Sequence, residues 1–294
     1  NNKGKIVADA AQANWNFVEG KKGNAISFTS YADKRESYAV YPLPGDFRQG
    51  TIEFWFKVKD PSSTSSRGLF DEGKLYGTNP NSMGIFINYN QVIFEIRDNT
   101  TLMPQPWNYQ IINDSNWHHV AAAWKCNTGD DFIQILVDGI GWAPARFWNN
   151  CTFLPTAAEM WVGKNYFYGS SFSYIDEFKI YNYPKTQDQI KKENTPVIEN
   201  YAPEFNSSTI KQGDSINFNI AATDPNSDPL TINWFLNDAP VGTGSSFNYA
   251  AENTRADVIR VNVSDGTFSA ERVWKVLVTG KSSTVISNSK IYID

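Results

Sequence analysis

Short apolar runs with a period of two constrain this chain more than any other feature of it. TIEFWFKV from Thr51, GIFINY from Gly84, QVIFEIR from Gln91, HHVAAAW from His118 and FIQILVDG from Phe132 each have a strand's length, and clusters of Gly, Asn, Asp and Pro separate them. Successive side chains of a strand point to opposite faces, so such runs bury one face of a sheet against another, as in β-sandwiches. The pattern resumes in SINFNIAAT, LTINWFLN, VIRVNVS and VWKVLVT. There Ile259, Val261 and Val263 share one face, as do Trp274, Val276 and Val278, and Trp234 reads as core. In FIQILVDG the residues Ile133, Leu136 and Val137 do not keep to one face, which predicts a strand covered on both sides. The fold class is therefore all-β. One helix is predicted, where Thr186 and Gln189 form a capping box ahead of Ile190–Glu193.

The segment NTPVIENYAPEF sets Pro196 and Pro203 around a polar stretch and reads as a connector. The expected organisation is a large sandwich over residues 1–195, a connector over 196–200, a smaller sandwich over 201–280, and a strand-like tail over 281–294. That tail either begins a further domain or donates a strand to another subunit, the second option giving a homopolymer. A start at Asn1 rather than Met is what a processed or trimmed chain shows.

Composition removes several function classes. A net charge of −5, with no Lys/Arg cluster, argues against a nucleic-acid binder. No run approaches the ~20 apolar residues that span a bilayer as a helix. His118 and His119 are the only two histidines and are adjacent, so in a strand they face opposite ways and do not share a metal. The acidic pairs Asp71-Glu72, Asp130-Asp131 and Asp176-Glu177 are likewise adjacent, whereas glycoside hydrolysis needs two carboxylates facing one groove. No P-loop, Rossmann or nucleophile-elbow pattern occurs, and the chain is expected not to be an enzyme. Two readings are open for Cys126 and Cys151: one disulfide, in keeping with an extracellular or cell-surface protein, or two thiols. Sequons at Asn99, Asn113, Asn150, Asn206 and Asn262 permit glycosylation at a frequency that chance would also give.

Several segments carry a resemblance when read in order. KGNAISF at Lys22–Phe28, GTIEFWFKV at Gly50–Val58, NWHHVAAAWK from Asn116 followed by FIQILVDG, and YIDEFKIYNYPKTQDQI from Tyr174 together resemble the laminin-G-like, concanavalin-A-like jelly-roll family over residues 22–193. NYAPEF at Asn200, ATDPNSDPLT at Ala222 and VSDGTFS at Val263 resemble immunoglobulin-like, cadherin-like and polycystic-kidney-disease-type domains. The first resemblance implies calcium, with Asp176 as a ligand; the alternative is that Asp176 caps or pairs within its strand. The spacing Asp224-Pro-Asn226-Ser-Asp228 has two readings, an oxygen-lined calcium loop or a turn held by Asx hydrogen bonds. Trp107, Trp142, Trp148, Tyr166 and Tyr168 lie in loop-like sequence and either line a ligand groove or pack under their own loops. The leading expectation is a non-catalytic surface or secreted module that binds a glycan or a surface protein. The alternatives are a structural subunit of an extracellular filament or surface layer built by strand exchange, and an accessory region of a polysaccharide-degrading enzyme.

Overall fold

The computed structural model describes residues 5–8, 15–28, 37–43, 47–72, 81–98, 101–102, 107–126, 129–141, 145–146, 151, 153, 158–165, 169–170 and 173–281. They fall into two compact units, Asn1–Glu193 and Asn194–Asp294. Among the described residues there is one helix, Gln187–Asn194; it is far too short and polar to cross a membrane. The whole is all-β otherwise.

The first unit is built from two large antiparallel sheets and a two-stranded ribbon, Lys164–Asn165 with Gly169–Ser170. One runs in the order Lys5–Ala8, Ser37–Pro42, Glu159–Val162, Arg67–Asp71, Ser82–Asn88, Gln91–Asp98, Trp107–Ile111, with Thr101–Leu102 paired to the side of Gln91–Asp98. The other runs Ala145–Arg146, Phe132–Val137, His118–Lys125, Gln49–Val58, Ser173–Tyr181, Asn24–Ser27, Asn16–Glu19. The period-two pattern explains the packing. Ile52, Phe54, Phe56 and Val58 share one face and meet Val120, Ala122 and Trp124 from the neighbouring strand, then Ile85, Ile87, Val92 and Phe94 from the opposite sheet, in one core. Part of the outer face of the second sheet is buried too. Ile190 of the helix packs on Ala121 and Leu136, which is why FIQILV is apolar on both sides. Thr186 caps that helix as its sequence indicates, its hydroxyl accepting from the Gln189 amide while Gln189 Oε1 accepts from Thr186 N–H at 2.8 Å.

In the second unit a three-stranded sheet (Val197–Ala202, Ser215–Thr223, Ser246–Ala250) and a five-stranded sheet enclose another core. The second of these is ordered Ser207–Lys211, Ser269–Thr279, Ala256–Ser264, Thr231–Leu236, Ala239–Thr243. Trp234 and Trp274 stack at 5.8 Å in the centre, and their indole N–H groups donate to the carbonyls of Gly244 and Pro203. Residues 197–200, expected to be a connector, belong instead to a strand that pairs with Ser215–Thr223. The strand-like tail falls outside the described residues beyond Lys281.

Candidate functional site

At one end of the first unit's sandwich, each sheet contributes to a hollow of about 460 Å³. Tyr41 and Pro42 end one strand, and Met160 stands in register with Tyr41 on the next. From the other sheet come Phe178, Ile180 and Tyr181, followed by Asn182 and Tyr183. A bulge sets this up: the pairing of Ser173–Tyr181 with Gln49–Val58 shifts between Asp176 and Lys179, with Glu177 at a positive φ of 49°. Beyond it Phe178 stacks on Phe54 at 5.7 Å and closes the hollow's floor. Tyr183 is 45% exposed and meets Tyr181 edge-on at 5.7 Å.

The segment carrying Tyr183 is pinned from below. Thr51 Oγ1 donates to the Tyr183 carbonyl at 2.9 Å and accepts from Lys185 N–H at 2.8 Å. The Lys185 ammonium, 1% exposed, sits 3.0 Å from Glu53 Oε1, is paired with Glu193 from the helix, and lies 3.4 Å from the centre of the Tyr181 ring. Burial alone would push the Lys185 pKa down, but hydrogen bonds to Glu193 and Tyr181 and the charge of Glu53 hold it above the ordinary lysine range. Burial in turn raises Glu53, with Lys185 opposing. A cation fixed in this way holds the exposed tyrosine's backbone before any ligand arrives, which lowers the ordering cost of binding.

The aromatic residues singled out in the sequence fall outside what the structure describes of its side chains. Trp107 opens the strand Trp107–Ile111, but its side chain lies outside the described residues, as do Trp142, Trp148, Tyr166 and Tyr168. Tyr41, Tyr181 and Tyr183 were missed; for the last two the signal was there in YNYP, one aromatic closing a strand and one just past it, ahead of a proline.

The second unit brings Asp224, Asp228 and Asp265 together, one carboxylate oxygen of each within 4.8 Å of the others. Asp224 Oδ1 accepts from the amides of Asn226 at 2.8 Å and Asp228 at 2.9 Å, so the Asx turn and the acidic cluster coexist. Asn226 serves that turn, its side-chain amide donating to Asn194 Oδ1 at 2.7 Å. Asp265 Oδ1 accepts from Thr267 and Phe268 N–H, both at 2.6 Å. The Oδ2 atoms of all three aspartates are buried and accept no hydrogen bond. Three clustered carboxylates repel one another in a desolvated site unless a cation or proton joins them, and hard cations take oxygen donors. The triad could hold a metal ion. In the first unit Asp176 Oδ2 accepts from Lys22 N–H at 2.9 Å and Oδ1 from Glu177 N–H at 2.8 Å, contacts that the strand-capping reading expects. A Cβ on Gly20 would come 2.3 Å from that Oδ2, so the turn needs glycine to approach the carboxylate.

His118 and His119 look to opposite faces. His118 Nδ1 lies 2.8 Å from Asp138 Oδ2 and its Nε2 3.1 Å from Asp114 Oδ1. Burial lowers its pKa, and the two aspartates, Asp138 first, more than reverse this. His119 packs against Trp55, and burial pushes it down to about 3. Cys126 and Cys151 are joined in a disulfide with Cα atoms 5.0 Å apart.

Two antiparallel sheets closed over one core, with a helix laid on one outer face and an aromatic hollow at the rim, define a jelly-roll-type β-sandwich of the lectin-like class. Residues 9–191 match the concanavalin A-like lectin/glucanases superfamily, and the chain belongs to that family. Its fold is similar to a crystal structure titled as a receptor binding domain, with TM-score 0.50 and 12% identity over 90% of this chain and 67% of that one. It is also similar to a structure of botulinum neurotoxin type C, whose cell entry depends on interaction with two ganglioside molecules, with TM-score 0.51 and 12% identity over the same shares, 90% and 67%. These likenesses are of fold. No curated protein sequence matches the chain.

Proposed function

We propose that this chain is a non-catalytic, extracellular or cell-surface binding module that holds glycans in the hollow at Tyr183, with an immunoglobulin-like second unit as a spacer. The observation that carries the reading is the hollow itself: a pinned segment presents one exposed tyrosine over a concave, mostly aromatic floor, with the Asn182 amide at its edge. Sugar rings lay their C–H faces on aromatic rings and hydrogen-bond through their hydroxyls, and a few placed polar groups fix their orientation. Among the described residues the hollow's lining contains no carboxylate, whereas glycoside hydrolysis takes a pair of them. Binding without hydrolysis is what such a lining supports. The disulfide is consistent with an oxidising compartment. Screening the intact chain against an immobilised glycan panel tests the reading. Retention on at least one glycan, without release of reducing ends and with loss in Tyr183→Ala, is the expected result; no retention on any glycan would sink it.

The metal of the second unit reads as calcium, because an all-oxygen carboxylate set on loops suits that ion, and its role there is structural. Calcium at a hundred times its dissociation constant is expected to stabilise the second unit by about 2.7 kcal/mol. Asp265→Asn keeps the Oδ1 acceptor for Thr267 and Phe268 but should abolish the shift. A melting curve unchanged by chelator in the unmodified chain would remove the metal.

A further inference from the structure

We infer that the hollow at Tyr183 is half of a longer site, and that a trough on the far side of segment 181–188 takes further units of the same neutral polysaccharide chain. This rests on the glycan reading above and specifies its ligand. The trough measures about 760 Å³ and lies on the outer face of the second sheet. Its shape follows from register. Phe132, Lys125 and Gln49 stand in one row across three strands, and Gln134, Ala123 and Thr51 in the next. Side chains of one row share a face, so Gln49, Lys125, Phe132 and Gln134 stand on the same side of the sheet. Pro184–Asp188 raises the far wall.

The chemistry of the lining selects the ligand. The amides of Gln49, Gln134 and Gln187 donate and accept, Phe132 offers a ring, and among the described residues the ammonium of Lys125 is matched in charge by the carboxylate of Asp188. Lys185 also lines the trough, but Glu53 and Glu193 neutralise it. Amides with no surplus charge suit hydroxyl groups rather than sulfates or carboxylates.

Hollow and trough share a wall one side chain thick. Gln49 lines the trough, and its amide donates at 3.5 Å to the carbonyl of Asn182, which lines the hollow. Lys185 lines the trough, and its ammonium lies over the Tyr181 ring, which lines the hollow. A single sugar fills one side only; a chain passing over Asn182–Pro184 reaches both.

The test is titration calorimetry of the full chain with neutral glucan and mannan oligosaccharides, from disaccharide to octasaccharide. Affinity is expected to climb with length, and Gln187→Ala and Gln134→Ala to weaken the long oligomers about tenfold while leaving the disaccharide unchanged. Tyr183→Ala should weaken short and long alike. The partly exposed Gln187 keeps the test open if the buried Gln134 variant does not fold. Flat affinity beyond the disaccharide, or trough variants that act equally on short and long ligands or on neither, would overturn the longer site while sparing the glycan reading. Binding of charged panel glycans with none of the neutral series would overturn it in the same way. No binding to any glycan ends both.

Discussion

Neighbouring residues of a strand look to opposite faces, and His118 and His119 inherit opposite electrostatics from that geometry. His118, between Asp138 and Asp114, has its pKa raised in the fold, so its contribution is complete below the ordinary histidine value and fades as pH rises through the folded one. His119, lowered to about 3 by burial, is held neutral; protonation favours the unfolded chain, so stability falls as pH drops from about 6.5 towards 3. Melting temperatures of His118→Asn should lie further below the parent's at about pH 5 than at about pH 8. His119→Gln should instead narrow the parent's loss on acidification. Equal gaps at both pH values would refute the assignment. The functional residues were legible only in part at this scale. DPNSD announces a turn rich in oxygen, but Asp265 lies far off in sequence; it arrives because Thr231, just past that turn, pairs with Ser264.

Among the elements, those whose signal is local could be read and those set by long-range pairing could not. Alternation and the Thr186 capping box are local, and strands and helix stand where they indicate. The strand Val197–Ala202 escaped notice because its register shifts between Ile198 and Asn200, which puts its core contacts at Ile198 and Tyr201, off a spacing of two. The hollow is illegible for a related reason, since Tyr41, Met160 and Tyr181 come from strands of two different sheets. The helix buries Ile190 against the sheet: Ile190→Ala should cost about 2–4 kcal/mol through the cavity left over Ala121 and Leu136. Denaturant unfolding measures it, and a cost near zero would show that the Lys185 cluster alone holds the helix. The disulfide closes a separation of 25 residues, for which the chain-entropy estimate is about 3.5 kcal/mol. Thiol titration of the denatured, unreduced chain should find no reactive thiol; two would contradict the bridge.

For the molecule as a whole, two units with separate cores imply two thermal transitions rather than one. Calcium should move only the transition of the second unit, which holds the aspartate triad, and Ile190→Ala only that of the first. Both moving together would mean that the units unfold as one. Ligand binding, by contrast, is assigned to the first unit alone, through a single exposed ring on a fixed segment. The most direct measurement is therefore the dissociation constant of the best panel glycan for the parent and for Tyr183→Ala, by titration calorimetry with melting temperature as the control. Loss of a central aromatic contact typically costs about 2 kcal/mol, so affinity should fall roughly thirtyfold at an unchanged melting temperature. An unchanged dissociation constant in the variant would contradict the assignment of the glycan site to this hollow.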